Sequence, residues 1–273
     1  MKYLIIITLL VSSIHASIAQ DEETRIIGTY YSFEKGSTER LYGDNVVLRE
    51  KPNSNAESID TLAIGAEVKI IEKTNETMQF NGLESFWYKV KYGKQIGYVL
   101  GGLIAFDSKE INGETYLVTM AENESNVYVR CRLLKADNTF YGHESRINTN
   151  AFYLEVFDNR GLEGVESILC VNLFAEACGV DGGMIYLFNT GERLVEAMQL
   201  SRVADGGSFW FHEKVTFPND EDGFEGVIYY ERASGESLDE EMEQTREVIN
   251  TVILRWKNNR ITPNIEELDF GAD

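Results

Sequence analysis

Three cysteines, three histidines and 45 acidic residues are the groups of this 273-residue chain that could do chemistry. A nucleophilic thiol needs a base beside it, and a catalytic zinc needs three protein ligands in close array. His15 falls in an apolar leader, so only His143 and His212 are left for either role, which excludes any three-histidine site. Cys131 and Cys170 sit inside apolar, strand-like runs, where a thiol acts as a small filler, and Cys178, before Gly179, has the more open setting a reactive thiol needs. A pairing of Cys178 with His143 or His212 is the one nucleophile and base combination these residue types allow. No Gly-x-Ser-x-Gly elbow and no phosphate-cradling glycine-rich helix entry occurs. The acids are too abundant to mark out a carboxylate pair for glycoside cleavage. One acidic stretch is patterned: Asn219-Asp220-Glu221-Asp222-Gly223 sets hard oxygen donors on alternate positions before a glycine, as a Ca²⁺ loop does. Asp220 and Asp222 are therefore candidate Ca²⁺ ligands. The alternative is a solvated acidic turn, since the bidentate Glu that completes such a loop is missing at its usual spacing.

The elements that must position these groups read as strands. Val46 to Leu48, Val68 to Ile71, Trp87 to Val90, Tyr116 to Met120, Val127 to Leu133, Phe152 to Phe157, Val165 to Leu173, Ile185 to Phe188, Phe209 to His212, Val227 to Tyr230 and Val252 to Trp256 are β-branched or aromatic runs bounded by Gly, Asn and Asp. Helical periodicity appears only around Leu238 to Ile249, where a charged loop fits equally well. An all-β chain follows. The texture changes near Asp107-Ser108-Lys109, which divides a compact set of short strands from a longer region of residues 107–265, with residues 266–273 as an acidic tail. In that second region, Asp-Gly-Gly-x-apolar-aromatic-apolar occurs twice, from Asp181 and from Asp205. Repeated hairpins of this kind suit an antiparallel meander, a sandwich or part of a propeller.

The first residues place Lys2 ahead of the apolar run Leu4 to Val11, followed by Ser17-Ile18-Ala19 with small residues at the −3 and −1 positions of a cut after Ala19. This is the pattern of a secretory signal peptide over residues 1–19, and the apolar run is too short to span a bilayer. Export places the protein in the periplasm or outside the cell, where thiols tend to pair. Cys170 and Cys178, each next to a strand run, could bridge a hairpin loop; three buried thiols are the alternative. The formal net charge of −20 repels phosphate backbones and anionic membrane surfaces, so nucleic acid is not an expected partner.

From Asp44 the chain reads DNVVLREKPNSNAESIDTLAIGAEVKIIEK and, after an interval, FWYKVKYGKQIGYVLGGLIA. Asn45, Val47, Arg49 and Pro52, then Ile59, Leu62, Gly65, Val68 and Ile70, then Trp87-Tyr88-Lys89-Val90 and Gly97-Tyr98-Val99 resemble the ordered blocks of a bacterial SH3 domain. The resemblance covers residues 44–105 and implies a small SH3-like barrel, preceded by an extension from residue 20 and followed by a second antiparallel β domain. Trp87 is expected in the barrel core, and the module is expected to fold alone. Two departures stand out: residues 28–43 precede the usual start, and the interval Thr74 to Ser85, read as a loop, is long. The resemblance implies binding to cell-envelope peptide or glycan, peptidoglycan above all. Tyr30, Tyr31, Tyr42, Tyr92 and Tyr98 are its candidate groove aromatics, with barrel packing as the alternative for each. In the second region Phe209 and Phe211 are expected in the core and Trp210 on a partner-binding patch for another envelope protein. None of the cysteines has the Asp-Cys-(Ser/Ala)-Gly context of papain-like cell-wall peptidases. The reading that follows is an exported, non-enzymatic binding protein, with an envelope hydrolase of unfamiliar β fold as the alternative.

Overall fold

The computed structural model describes residues 25–149, 151–174, 182–205, 208–237 and 245–270. Among them there is no α-helix, and nineteen strands carry the fold. The expected β runs all fall on strands, several of which run on well past them: β5, expected over 68–71, extends to Phe80, and β17, expected over 227–230, to Ser237. The stretch with helical periodicity enters a strand at Thr245, and residues 238–244 lie outside the described part.

Strand β1 (Ile27–Gly28) leads into a six-stranded sheet built from β2 (Thr38–Arg40), β3 (Val46–Arg49), β4 (Ser58–Leu62), β5 (Glu67–Phe80), β6 (Leu83–Tyr92) and β7 (Gln95–Leu100), in the order β2-β5-β6-β7-β3-β4. Leu48, Val68, Val90 and Val99 are fully buried inside it, and Trp87 is 5% exposed, as a core ring should be. The interval Thr74 to Ser85 is not a loop. It extends β5 and β6 into a long hairpin, because Asn81 and Gly82 both take positive φ, the two-residue turn whose twist matches that of the strands.

A four-stranded sheet follows, with β8 (Asp107–Ile111), β9 (Glu114–Asn123), β10 (Asn126–Leu134) and β11 (Phe140–Ile147) in sequence order. Then come β12 (Ala151–Phe157), β13 (Ser167–Leu173), β14 (Gly182–Asn189), β15 (Leu194–Asp205), β16 (Phe209–Thr216), β17 (Ile228–Ser237), β18 (Thr245–Lys257) and β19 (Arg260–Thr262). These eight form one antiparallel meander, with β1 added to its first edge beside β12. The meander is a single continuous sheet, not a set of blades.

Two layers make the central core. Strand β8 packs along β12 and β11 along β15, so the four-stranded sheet covers the start of the meander. Tyr116, Val118 and Met120 of β9 and Leu169, Val171 and Ile185 of β13 and β14 fill the space between, each fully buried aliphatic side chain contributing roughly 1.5–3 kcal/mol. The alternate residues of β13 and β14, Ile168, Cys170, Tyr186 and Phe188, point the other way into a second core. The meander curls to enclose that core, bringing β19 back beside β15.

The six-stranded module does not end at its own core. Its buried side chains are continuous with those of the sandwich through Ile27, Phe33, Phe106 and Met120, so the expected self-contained barrel shares its interior with the rest of the chain. The outer face of β9 is buried as well: Leu117 packs with Tyr42, Ile64 and Ala105 of the module. Both departures from the family pattern supply this junction. The extension provides Phe33 and the ion pair of Arg25 with Glu39, at 2.8 Å. The long hairpin reaches Glu122, whose N–H donates to Asn81 O at 2.8 Å. Gly82 approaches so closely that a Cβ there would lie 1.9 Å from Glu122 O.

Candidate functional site

Where the module meets the four-stranded sheet, the two surfaces part into a cleft of about 580 Å³. One wall is the corner Tyr42-Gly43-Asp44, pinned because the Tyr42 and Gly43 N–H groups both donate to Leu103 O, at 2.9 and 3.0 Å. The tip of the β5–β6 hairpin, Phe80 and Asn81, forms the end. The opposite wall is the outer face of β10 and β11. There the strand period turns the Cys131 thiol into the core and sets Arg130 and Arg132 on the cleft side, beside Phe140 and Glu144.

Arg132 is held on three sides. Its guanidinium lies 4.5 Å from the Tyr42 ring centroid and 4.7 Å from that of Phe140, and one Nη1–H donates to Tyr42 O at 2.7 Å. Arg130 pairs with Glu144 across the strands. Asp44 is anchored at the rim, its Oδ2 accepting from Asn45 Nδ2 at 2.8 Å. Burial pushes the Tyr42 phenol up to about 12, so it stays neutral at physiological pH.

The five tyrosines expected to line one groove do not converge. Tyr42 lines the cleft, 8% exposed. Tyr31 lines a separate depression with Arg25, Glu34 and Glu39, packs edge-on against Phe33 at 5.4 Å, and is pushed up to about 12 by burial. Tyr30 is 96% exposed in the turn after β1. Tyr92 packs against the module core, and Tyr98 stands between Arg49 and Lys89 on β7. Arg130, Arg132, Phe140 and Glu144 were not among the expected site residues. Their signal was the alternation in Val-Arg-Cys-Arg-Leu, which puts two cations on the face opposite a buried thiol.

In the second region Trp210 is half-buried, stacked on His212 at 5.2 Å and lying over Gly235. Phe209, expected in the core, is instead 42% exposed, because among the described residues no second layer covers the end of β16. Phe211 is half-buried, with Arg232 5.1 Å from its ring.

Asp220 does not present free oxygens to a cation. Its Oδ1 receives Arg160, and its Oδ2 accepts the Phe217 N–H at 2.8 Å, while Asp222 is exposed. Among the described residues no three His, Cys, Asp or Glu side chains gather as a metal site would require. The supposed calcium loop is thus a turn held by an Arg–Asp pair. Burial pushes the Cys131 and Cys170 thiols well up, to about 12 for Cys170, which keeps both in the unreactive form. Cys178 lies outside the described residues, and with it the proposed bridge. At the seam of β11 and β15, His143 Nε2 lies 3.2 Å from Glu196 Oε2, and Ser145 Oγ donates to the same oxygen at 2.5 Å. Here the Glu196 carboxylate stands between the serine and the imidazole and accepts from both.

Residues 44–105 match the family model of the bacterial SH3 domain. That stretch is similar to a bacterial SH3 domain. No curated protein matches the chain significantly, and no solved structure does. The SH3-like stretch contributes Asp44, Phe80 and Asn81 to the cleft, the extension before it contributes Tyr42, and the four-stranded sheet contributes the two arginines. What the arrangement can do chemically is bind: a fixed guanidinium, a fixed carboxylate and two ring faces meet in one open space. His143, paired with Glu196, also borders the cleft, and the Cys131 thiol beside it is buried.

Proposed function

We propose that this protein is exported by its leader and acts in the bacterial cell envelope as a non-catalytic binding protein, with wall peptide or glycan as its ligand. The match to the bacterial SH3 domain carries the reading, since domains of this family commonly bind the cell wall. The cleft on the border of the domain supports it: its volume falls in the range of small-ligand sites, and it combines apolar rings with a few oriented polar groups. The face of β16 that bears Trp210 is the second place where a partner, here another envelope protein, would be held.

The test uses the mature chain and purified peptidoglycan sacculi. Co-sedimentation without released muropeptides is the expected result. Failure to sediment overturns the reading, and release of soluble fragments replaces it with an envelope hydrolase. N-terminal sequencing of the exported protein checks the leader, with Gln20 as the expected first residue.

A further inference from the structure

The acids outnumber the cations by 45 to 25, and the arginines of the module junction reflect that excess. Arg25 pairs with Glu39, Arg40 with Glu67 and Glu110, and Arg130 with Glu144. Arg132 is different. Its partners are two aromatic rings and one backbone carbonyl, and among the described residues no carboxylate forms an ion pair with it. A guanidinium has five N–H donors in a rigid fork. Only one is given to Tyr42 O. The stacking rings and that hydrogen bond fix the plane of the fork, so its ordering entropy is lost on folding and not on binding.

The geometry points to Arg132 as the receptor for a carboxylate of the ligand, and to Asp44, on the facing wall, as the partner of the ligand's ammonium group. The ligand class is a short peptide bearing both a free C-terminal carboxylate and an amine. Charge balance in the cleft favours such a zwitterion: Arg130 and Glu144 neutralise one another, which leaves Arg132 and Asp44 as the opposite poles. A simple anion would gain from Arg132 but face Asp44, and a cation would meet the reverse. Phe140, 36% exposed, offers its ring to the apolar side chains between the two ends.

This assignment rests on the proposed envelope-binding role but locates the carboxylate contact outside the SH3-like residues 44–105, on the strand β10 that faces them. Isothermal titration of the full mature chain with L-lysyl-D-alanyl-D-alanine tests it, run against the same tripeptide as its C-terminal amide. The free acid should bind at least tenfold more tightly than the amide. Arg132→Gln should bring the acid down to the amide's level, and Asp44→Asn should weaken both forms alike. The acid-versus-amide comparison needs no variant, so it stands even where Arg132→Gln unfolds. The Arg132 Nε–H resonance, which should move with the acid and not with the amide, gives a second readout in the unaltered protein. Equal binding of the two forms, or no binding of either, overturns the inference. If sacculi still sediment in that case, the envelope role survives without it. If the acid binds through Arg132 while sacculi do not sediment, the inference stands and the envelope role falls.

Discussion

Strands β13 and β18 are both rich in β-branched and apolar residues, yet β13 is buried at every position and β18 only at Leu254. The difference lies in what stands above each strand. Leu169 and Val171 face the four-stranded sheet, and Ile168 and Cys170 face the curled end of the meander. Strand β18 has β17 and β19 beside it and, among the described residues, no layer over its outer row, so Ile249 and Ile253 remain 55% and 44% exposed. Burial in this molecule is conferred by a second layer, and the apolar content of a strand does not guarantee one.

The sharpest way to test the contrast is to remove one ring from each kind of strand. Phe188→Ala on β14 takes a ring out of contact with Phe217 and Trp256 and should cost about 3–5 kcal/mol, read as a fall in the urea midpoint. Trp87→Ala should cost a similar amount in the module. Ile249→Ala on β18 should stay within about 1 kcal/mol of the parent. Equal losses at Phe188 and Ile249 would mean that a partner covers β18 in solution.

The junction between module and sandwich comes next in size. Gly82→Ala puts a side chain onto the Glu122 carbonyl at a φ of +81°, so the hairpin tip must lift. The expected loss is more than about 1 kcal/mol, with faster proteolysis around residues 80–83. A variant as stable and as protected as the parent would show that the tip does not dock.

A pH series probes the β11–β15 seam. Burial pushes the Glu196 carboxyl up, but the hydrogen bonds from His143 and Ser145 outweigh it and hold the group below its ordinary value. Its stabilising contribution is therefore complete above the unfolded-state carboxylate range and lost as pH falls through the folded-state pKa. Glu196→Gln should flatten the acid limb of melting temperature against pH. An unchanged limb would leave this carboxylate without a part in acid sensitivity. The smallest effect is expected for Trp210→Ala, within about 1 kcal/mol, since its ring lies on a half-exposed face over Gly235. Weakened capture of an envelope protein with an unchanged melting point would make that face a docking surface, whereas unfolding would make it structural.

The strands were legible because their alternation and turn residues act locally. The SH3 blocks were legible for the same reason, each being a short motif in order. Asn81-Gly82 also carried its signal, a two-residue turn, yet the interval around it reads as a loop when judged by length alone. Phe209 was misplaced because aromatic character cannot say whether another sheet lies above it. The cleft was out of reach of any local reading: Tyr42, Phe80 and Arg132 meet only through the docking of two sheets. Asp220 shows the converse, a pattern suited to a cation that the fold fills with Arg160.

The pairing of β1 with β12 sets an order of events for the chain's birth. Ile27 leaves the ribosome well before its partner Phe152, which follows only after residues 44–105 and the four-stranded sheet have emerged. Until then Ile27 has no strand to join, and Phe33 and Phe106 have only part of their eventual packing. The extension thus works as a late clasp, and segments made early wait in a partly open state for those made last.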